Sequence, residues 1–290
     1  MRKLPDLTPD QVVGLQDALL ANADALLTSA LAVLDLGHAG LARSLAILGL
    51  EESGKAIAVH ERRVSLGCAP DGEPFRCDHL DELWASHQKK LETVHSFLVQ
   101  EPYWFDVQPP DPNENAVYLG TIKAWARRHD RSKQRGFYVD LSKTGAVLAP
   151  TDVADEEALR DVIAHVHQIG WQLRLGEHIE GQRQDEKERG IPRMDSEAME
   201  WLTDRPEGDS PLHLWAVAEC LRESMKEGIP GEPLNNAAYR FNPPDADRSP
   251  FRNLGKPGYE AETRELLLMK EELDRKAERG EAIVPEEGEE

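Results

Sequence analysis

The stretch from Gly37 to Val64 constrains the fold most, because its apolar residues recur at helical spacing. The leucines of one predicted helical face are Leu41, Leu45 and Leu48. Glu52 stands on the same face, where a further apolar residue would be expected, and Lys55 is its neighbour on the helix surface. Gly54 lowers helix stability by about 1 kcal/mol relative to alanine. A glycine there indicates that another helix or a ligand comes close, and an exposed ion pair beside a packing glycine is the alternative interpretation.

Helical periodicity also runs through the flanking segments, and no strand-period stretch or internal repeat stands out. The first helix is predicted to begin at the capping sequence Thr8-Pro9-Asp10-Gln11 and to form an antiparallel hairpin with the second through a short turn at Gly37. The other predicted helices are Asp78 to Val99, a fourth after Asn113, Asp155 to Arg189, Asp195 to Thr203, Pro211 to Glu227, and Tyr259 to Arg279. The sequence therefore predicts an all-α fold whose first four helices form one bundle.

The composition excludes several classes of function. A net charge of −20 over 290 residues argues against a surface coated by nucleic acid, although a local basic site remains open. No phosphate-binding glycine loop, nucleophile elbow or zinc helix is present, and the three cysteines lack metal spacing, so we predict no cofactor and no metal. The N-terminus has no apolar signal core, and the stretch from Leu15 to Leu36 carries charges. We therefore expect a cytoplasmic protein that does not enter a membrane.

Polar side chains lie beside the apolar stripes of three predicted helices. They are Glu52, Lys55, His87, Lys90, Lys133 and Tyr138. Charges at such positions are costly unless they are paired, so we expect these side chains to converge. The fourth helix is also the most basic part of the chain, with Arg127, Arg128, Arg131 and Arg135. It ends in Phe137, Tyr138 and Val139, which predicts that its last turn packs inward.

Three segments resemble the AbiV family of bacterial abortive-infection proteins, a branch of the HEPN superfamily. They are Glu-Glu-x-Gly-Lys-Ala at Glu51 to Ala56, His-x-x-Lys at His87 to Lys90, and Lys-x-x-x-x-Tyr at Lys133 to Tyr138. The resemblance covers roughly residues 10 to 185. It implies a helical bundle, a role in anti-phage defence, and homodimers with their sites near the interface. RNA, the translation machinery or a phage protein are the partners that it suggests.

Two functional hypotheses follow from the resemblance. In the first, a ribonuclease or other RNA-modifying toxin uses His87 as acid/base and Lys55, Lys90 and Lys133 to stabilise phosphate charge, with Glu52 orienting a lysine and Tyr138 in the same site. The arginines of the fourth helix would help to bind RNA. In the second, the same residues form a buried network that fixes the bundle of a non-catalytic binding protein.

A second candidate arrangement fits the Arg-x4–6-His signature of HEPN ribonucleases. It consists of Arg160, His165 and His167, although apolar neighbours such as Val162 and Val166 indicate a core-facing helix. His165 and His167 are two apart, so they should point to different faces. The signature lies outside the segments that carry the resemblance.

The chain divides into three predicted regions. A HEPN-like bundle is expected over residues 8–189, an extension of short helices and loops over 190–280, and an acidic disordered tail over 281–290. The loop with Tyr103, Trp104 and Phe105 carries more apolar surface than a solvated loop needs. We expect part of a homodimer interface there or on the first two helices.

Overall fold

The computed structural model describes residues 3–104, 109–152, 156–193, 225–243, 245, 247, 249 and 251–279. Its helices are α1 (Pro9–Asp35), α2 (Ala39–Cys68), α3 (Asp78–Trp84), α4 (His87–Gln100), α5 (Pro112–Leu119), α6 (Ile122–Phe137), α7 (Glu156–Arg189) and α8 (Glu260–Glu278). The strands are β1 (Asp140–Leu141), β2 (Val147–Leu148), β3 (Gly190–Ile191) and β4 (Ile229–Pro230). The predicted all-α class is confirmed. The short helices predicted between residues 195 and 224 lie outside the described residues.

Helices α1 and α2 form the predicted hairpin. Thr8 caps α1 through a reciprocal hydrogen-bond box with Gln11, and Pro9 occupies the first turn. Gly37, at φ +82°, makes the turn between the two helices. Helix α1 has the length and mean hydropathy of a membrane-spanning helix, as the core helices of water-soluble proteins often do. Here its buried residues, such as Leu19, Ala23 and Leu27, belong to the bundle core.

Helix α2 is the central helix, and α1, α4, α6 and α7 pack around it. Its fully buried positions are mostly small: Ala42, Ser44, Ala46, Ser53, Gly54 and Ala56. The sequence predicted that the face with Leu41, Leu45, Leu48 and Glu52 would be the buried face of α2. This prediction was wrong, because these four residues are only partly buried. A helix with neighbours on several sides buries most of its circumference, and small side chains allow those neighbours to come close. Leu41, Leu45 and Leu48 lie on the side that remains partly open, whereas Leu50 and Leu66 are fully buried.

Two predicted long helices are each broken into two. The third divides at Ser86, whose hydroxyl accepts a hydrogen bond from Lys89 N and so caps α4. The fourth divides at Gly120, whose φ of +77° ends α5 before α6 begins. The break at Ser86 places His87 at the first position of α4.

The strands are two-residue antiparallel pairs, β1 with β2 and β3 with β4. Neither pair was predicted from the sequence, and both are too short to change the all-α class. The end of α6 also differs from its prediction, since Tyr138 and Val139 are exposed and lead into the β1–β2 hairpin.

The aromatic loop differs from its prediction too. Tyr103 is buried and hydrogen-bonds His60 and Glu180, while Trp104 is exposed and Phe105 is outside the described residues.

The described part of the C-terminal extension packs on α7 and α1. Buried Arg174 of α7 binds Asp17 of α1, Glu177, and the carbonyl of Gly258. Arg240 forms ion pairs with α7, and Glu262 and Glu265 of α8 hydrogen-bond His178 and His167. These contacts fix the extension against the outer side of the bundle. The proposed domain boundaries remain predictions.

Candidate functional site

Glu51 of α2 is the centre of the polar site. Its side chain is 3% exposed, and its two oxygens bind different helices. Oε1 accepts a hydrogen bond from Nζ of Lys133 on α6, and Oε2 lies 2.5 Å from Nδ1 of His87 on α4. Lys133 is also buried and lies 3.3 Å from Asp130. One buried carboxylate thus joins three helices.

His87 is the accessible member of this cluster, with 61% of its side chain exposed. A carboxylate accepts hydrogen bonds, so Nδ1 of His87 carries the proton that faces Glu51. In the neutral imidazole, Nε2 then keeps a free lone pair. A carboxylate that fixes the tautomer and orientation of a histidine is compatible with general-base catalysis by that histidine.

Lys90 lies one helical turn after His87 and is 9% exposed. Among the described residues, no carboxylate comes within ion-pair distance of its ammonium group. Burial lowers the pKa of Lys90, and the charge of Glu51 opposes that effect. Lys90 is therefore a buried cation without a direct ion pair among the described residues.

Close helix crossings set this geometry. A methyl group on Gly54 of α2 would lie 2.4 Å from the carbonyl oxygen of Lys90, so α4 crosses α2 directly at the glycine. The predicted close approach at Gly54 is confirmed. Gly136 of α6 is similarly close to Gly40, and the hydroxyl of Ser44 donates to the carbonyls of Gly40 and Lys133. The two crossings bring α4 and α6 to opposite ends of the Glu51 carboxylate.

Other predicted site residues lie at the edge of this cluster or away from it. Glu52 pairs with Lys55 at 2.7 Å on the partly exposed side of α2, and Lys55 lies over the ring of Trp84. The carboxylate predicted to converge with helices α4 and α6 was Glu52, but Glu51 makes those contacts. Tyr138 is exposed, and its ring lies against that of Phe137. It therefore does not join Glu51.

Carboxylates and lysines are balanced in number around the cluster. Glu51 and Asp130 bind Lys133, and Glu52 binds Lys55, so three carboxylates face three lysines in this neighbourhood. Lys90 is the lysine of this group that has no direct ion pair among the described residues.

Four arginines of α6 line a separate surface groove of about 640 Å³. They are Arg127, Arg128, Arg131 and Arg135. Asp130 and Asp140 line the same groove, and Asp130 also contacts Lys133. The groove is thus connected to the Glu51 cluster through Asp130, and its arginines project to solvent, where phosphate groups could reach them.

The Arg-x4–6-His residues do not form one site. His165 faces a cavity beside Trp125, whereas His167 hydrogen-bonds Glu265 of α8, as the two-residue spacing predicts. Arg160 is exposed and does not line that cavity. No group of three or more His, Cys, Asp or Glu suited to a metal ion occurs among the described residues.

Glu51 is the site residue that residue-by-residue reasoning missed, although the Glu-Glu-x-Gly-Lys-Ala element contained it. Periodicity favoured Glu52, because Glu52 continues the leucine face. A usable signal was present: Glu51 lies four residues after Ile47 and three before Gly54, and both neighbours are buried. If the small residues of α2 are taken as its buried side, the same helical spacing places Glu51 on that side.

The three segments that carry the resemblance meet at Glu51: Glu51 itself, His87 with Lys90, and Lys133. Comparison with known families agrees, since the family model described as AbiV, within HEPN, matches residues 11–171. No curated protein matches the chain significantly. No solved structure does so either. The matched region is more than half of the chain and contains the whole Glu51 cluster, and the chain therefore belongs to the AbiV family of the HEPN superfamily.

Proposed function

We propose that this protein blocks phage propagation by acting on RNA through the Glu51 cluster. Membership of the AbiV family indicates a role in abortive-infection defence. The observation that carries the finer proposal is the state of His87. Its Nδ1 is fixed by buried Glu51, and most of its imidazole is exposed. A purely structural histidine in such a network would be expected to be buried with its partner.

The arrangement supports cleavage of the RNA backbone next to a 2′-hydroxyl. His87 would remove the hydroxyl proton through Nε2, and the resulting oxygen would attack the adjacent phosphorus. The 5′-oxygen would leave and take a proton from water, which gives a 2′,3′-cyclic phosphate and a 5′-hydroxyl. Lys90 would neutralise charge that develops on the phosphate, and Glu51 would stabilise the imidazolium. The arginines of the α6 groove would hold the flanking strand.

A non-catalytic function is the second candidate, and the burial of Glu51 and Lys133 favours it. A carboxylate and an ammonium that are buried at 3% and 4% exposure would, in this candidate, serve to fix the crossing of α2 and α6. The protein would then recognise a phage or host protein through another surface. His87 distinguishes the two candidates, because this scaffold does not need its exposed Nε2.

The test is incubation of purified protein with total bacterial RNA, with cleaved ends analysed for cyclic phosphate. We expect wild-type protein to cut RNA and His87→Ala to lose the activity. His79→Ala is the matched control, since His79 is also exposed and lies eight residues earlier, outside the cluster. Intact RNA after incubation with the wild type, or equal cutting by His87→Ala, would contradict the catalytic proposal.

We also propose that the protein is a cytoplasmic homodimer. Exposed apolar side chains gather where α6 passes into the β1–β2 hairpin: Tyr138, Val139, Leu141 and Val147. Burial of such a patch against a second copy would stabilise a dimer. Light scattering at tens of micromolar should give twice the mass of 32.5 kDa, and a monomer mass would exclude the proposal.

A further inference from the structure

A cavity of about 380 Å³ lies between α5, α6 and α7. None of its lining residues belongs to the Glu51 cluster. Its buried wall includes Leu119 and Trp125, and the imidazoles of His129 and His165 also line it. This volume is in the range of pockets that hold small organic molecules. The cavity therefore has the size and the mixed polarity of a ligand site.

The two imidazoles are uncharged at neutral pH. Burial lowers the pKa of His129 to about 4 and also lowers the pKa of His165. Nδ1 of His129 donates to the carbonyl of Trp125 at 2.9 Å, so its Nε2 is a hydrogen-bond acceptor. Nδ1 of His165 is buried and has no hydrogen-bond partner in the described structure. The interior thus offers neutral polar groups beside apolar ones.

The exposed lining residues carry opposite charges that do not pair. Arg128 belongs to α6, and Glu157 and Asp161 belong to α7. Neither carboxylate lies within ion-pair distance of Arg128, and none of the three side chains has an ion pair with a described residue. A ligand that carries only negative charge would be repelled by the two carboxylates. A ligand that carries only positive charge would be repelled by Arg128. A molecule that carries both charges matches the whole rim.

We propose that this cavity binds a free α-amino acid. The carboxylate of the ligand would bind Arg128, and its ammonium group would bind Asp161 and Glu157. Its side chain would enter the cavity against Leu119 and Trp125, where a polar group could reach the histidines. The proposal uses none of Glu51, His87, Lys90 or Lys133, so it can be tested apart from RNA cleavage; Arg128 is the residue that it shares with the α6 groove.

The experiment measures the thermal midpoint of the full-length protein with each of the twenty L-amino acids at millimolar concentration. We expect one or a few to raise the midpoint in a concentration-dependent manner. Titration calorimetry with the best amino acid should then show affinity reduced at least tenfold in Arg128→Gln and in Asp161→Asn. Arg131→Gln is the matched control, because Arg131 lies one turn further along α6 and does not line the cavity.

Two analogues test the charge assignment on the wild-type protein, so the result does not depend on the folding of a variant. The amide of the best amino acid lacks the carboxylate, and its N-acetyl derivative lacks the ammonium group. Both should bind at least tenfold more weakly. The proposal is overturned if no amino acid raises the midpoint, if either analogue binds equally well, or if Arg131→Gln weakens binding as much as Arg128→Gln.

Discussion

Replacing Gly54 by alanine should destabilise the protein, although alanine is the better helix former. The new methyl group would lie 2.4 Å from the carbonyl oxygen of Lys90, and contacts under 3.0 Å require movement. Relief to 3.0–3.4 Å needs α4 to shift by about 0.6–1.0 Å. Leu91 and Val94 hold α4 in the core and oppose that shift. Overpacking of this kind costs about 1–3 kcal/mol, against a helix-propensity gain of about 1 kcal/mol.

The expected net loss is up to about 2 kcal/mol in the free energy of unfolding, measured by urea denaturation with linear extrapolation. Gly14→Ala is the matched control, because Gly14 lies within α1 and a methyl group there has no neighbour within 4 Å. It should stabilise the protein by about 0.5–1 kcal/mol. If Gly54→Ala is as stabilising as Gly14→Ala, α4 does not cross α2 at this glycine and the geometry of the site is wrong.

Two further predictions concern buried ionisable groups. Glu51→Gln should lower the free energy of unfolding by about 3–5 kcal/mol, because buried Lys133 would keep only the longer contact with the more exposed Asp130. Glu52→Gln should cost no more than about 1 kcal/mol, and urea denaturation measures both changes. Burial lowers the pKa of His60 from 6.5 to about 4. The unfolded chain therefore binds this proton more readily, and the stability that depends on neutral His60 is complete above pH 6.5 and is lost as the pH falls towards 4. Between pH 7.5 and 4.5 the loss from this group should be about 2–3 kcal/mol, and His60→Gln, although less stable at pH 7.5, should lack it. An equal acid-induced loss in His60→Gln would contradict the assignment.

The sequence predicted the helices well where local signals determine them. The capping box at Thr8 begins α1, and Gly37 makes the turn between α1 and α2. Both signals act within a few residues. The breaks at Ser86 and Gly120 were missed, because the apolar periodicity continues across both points. Serine and glycine also occur inside helices. Whether Ser86 caps α4 and Gly120 ends α5 therefore depends on how α3 and α5 pack.

The site was predicted in part for a similar reason. The structure brings His87 and Lys133 to one buried carboxylate, with Lys90 one turn after His87, because polar residues beside apolar stripes must find partners. The choice of Glu52 over Glu51 failed because periodicity assumes one buried face, and α2 has neighbours on several sides. The exposure of Tyr138 depends on the turn into the β1–β2 hairpin, which no helical pattern encodes.

The most direct test of the central claim is phage protection by cells that express Lys90→Met. The claim is that the Glu51 cluster is a working site, in which Lys90 is retained for function and not for stability. Methionine keeps the apolar stem and removes a buried charge that has no direct partner. Lys89→Met is the matched control, because the neighbouring Lys89 is half-exposed and pairs with Glu82.

We predict that Lys90→Met loses protection against phage while its thermal midpoint equals or exceeds that of the wild type. Lys89→Met should keep both protection and midpoint. Full protection by Lys90→Met, or a loss of protection that occurs only together with a lowered midpoint, would contradict the claim and leave the Glu51 cluster as scaffold.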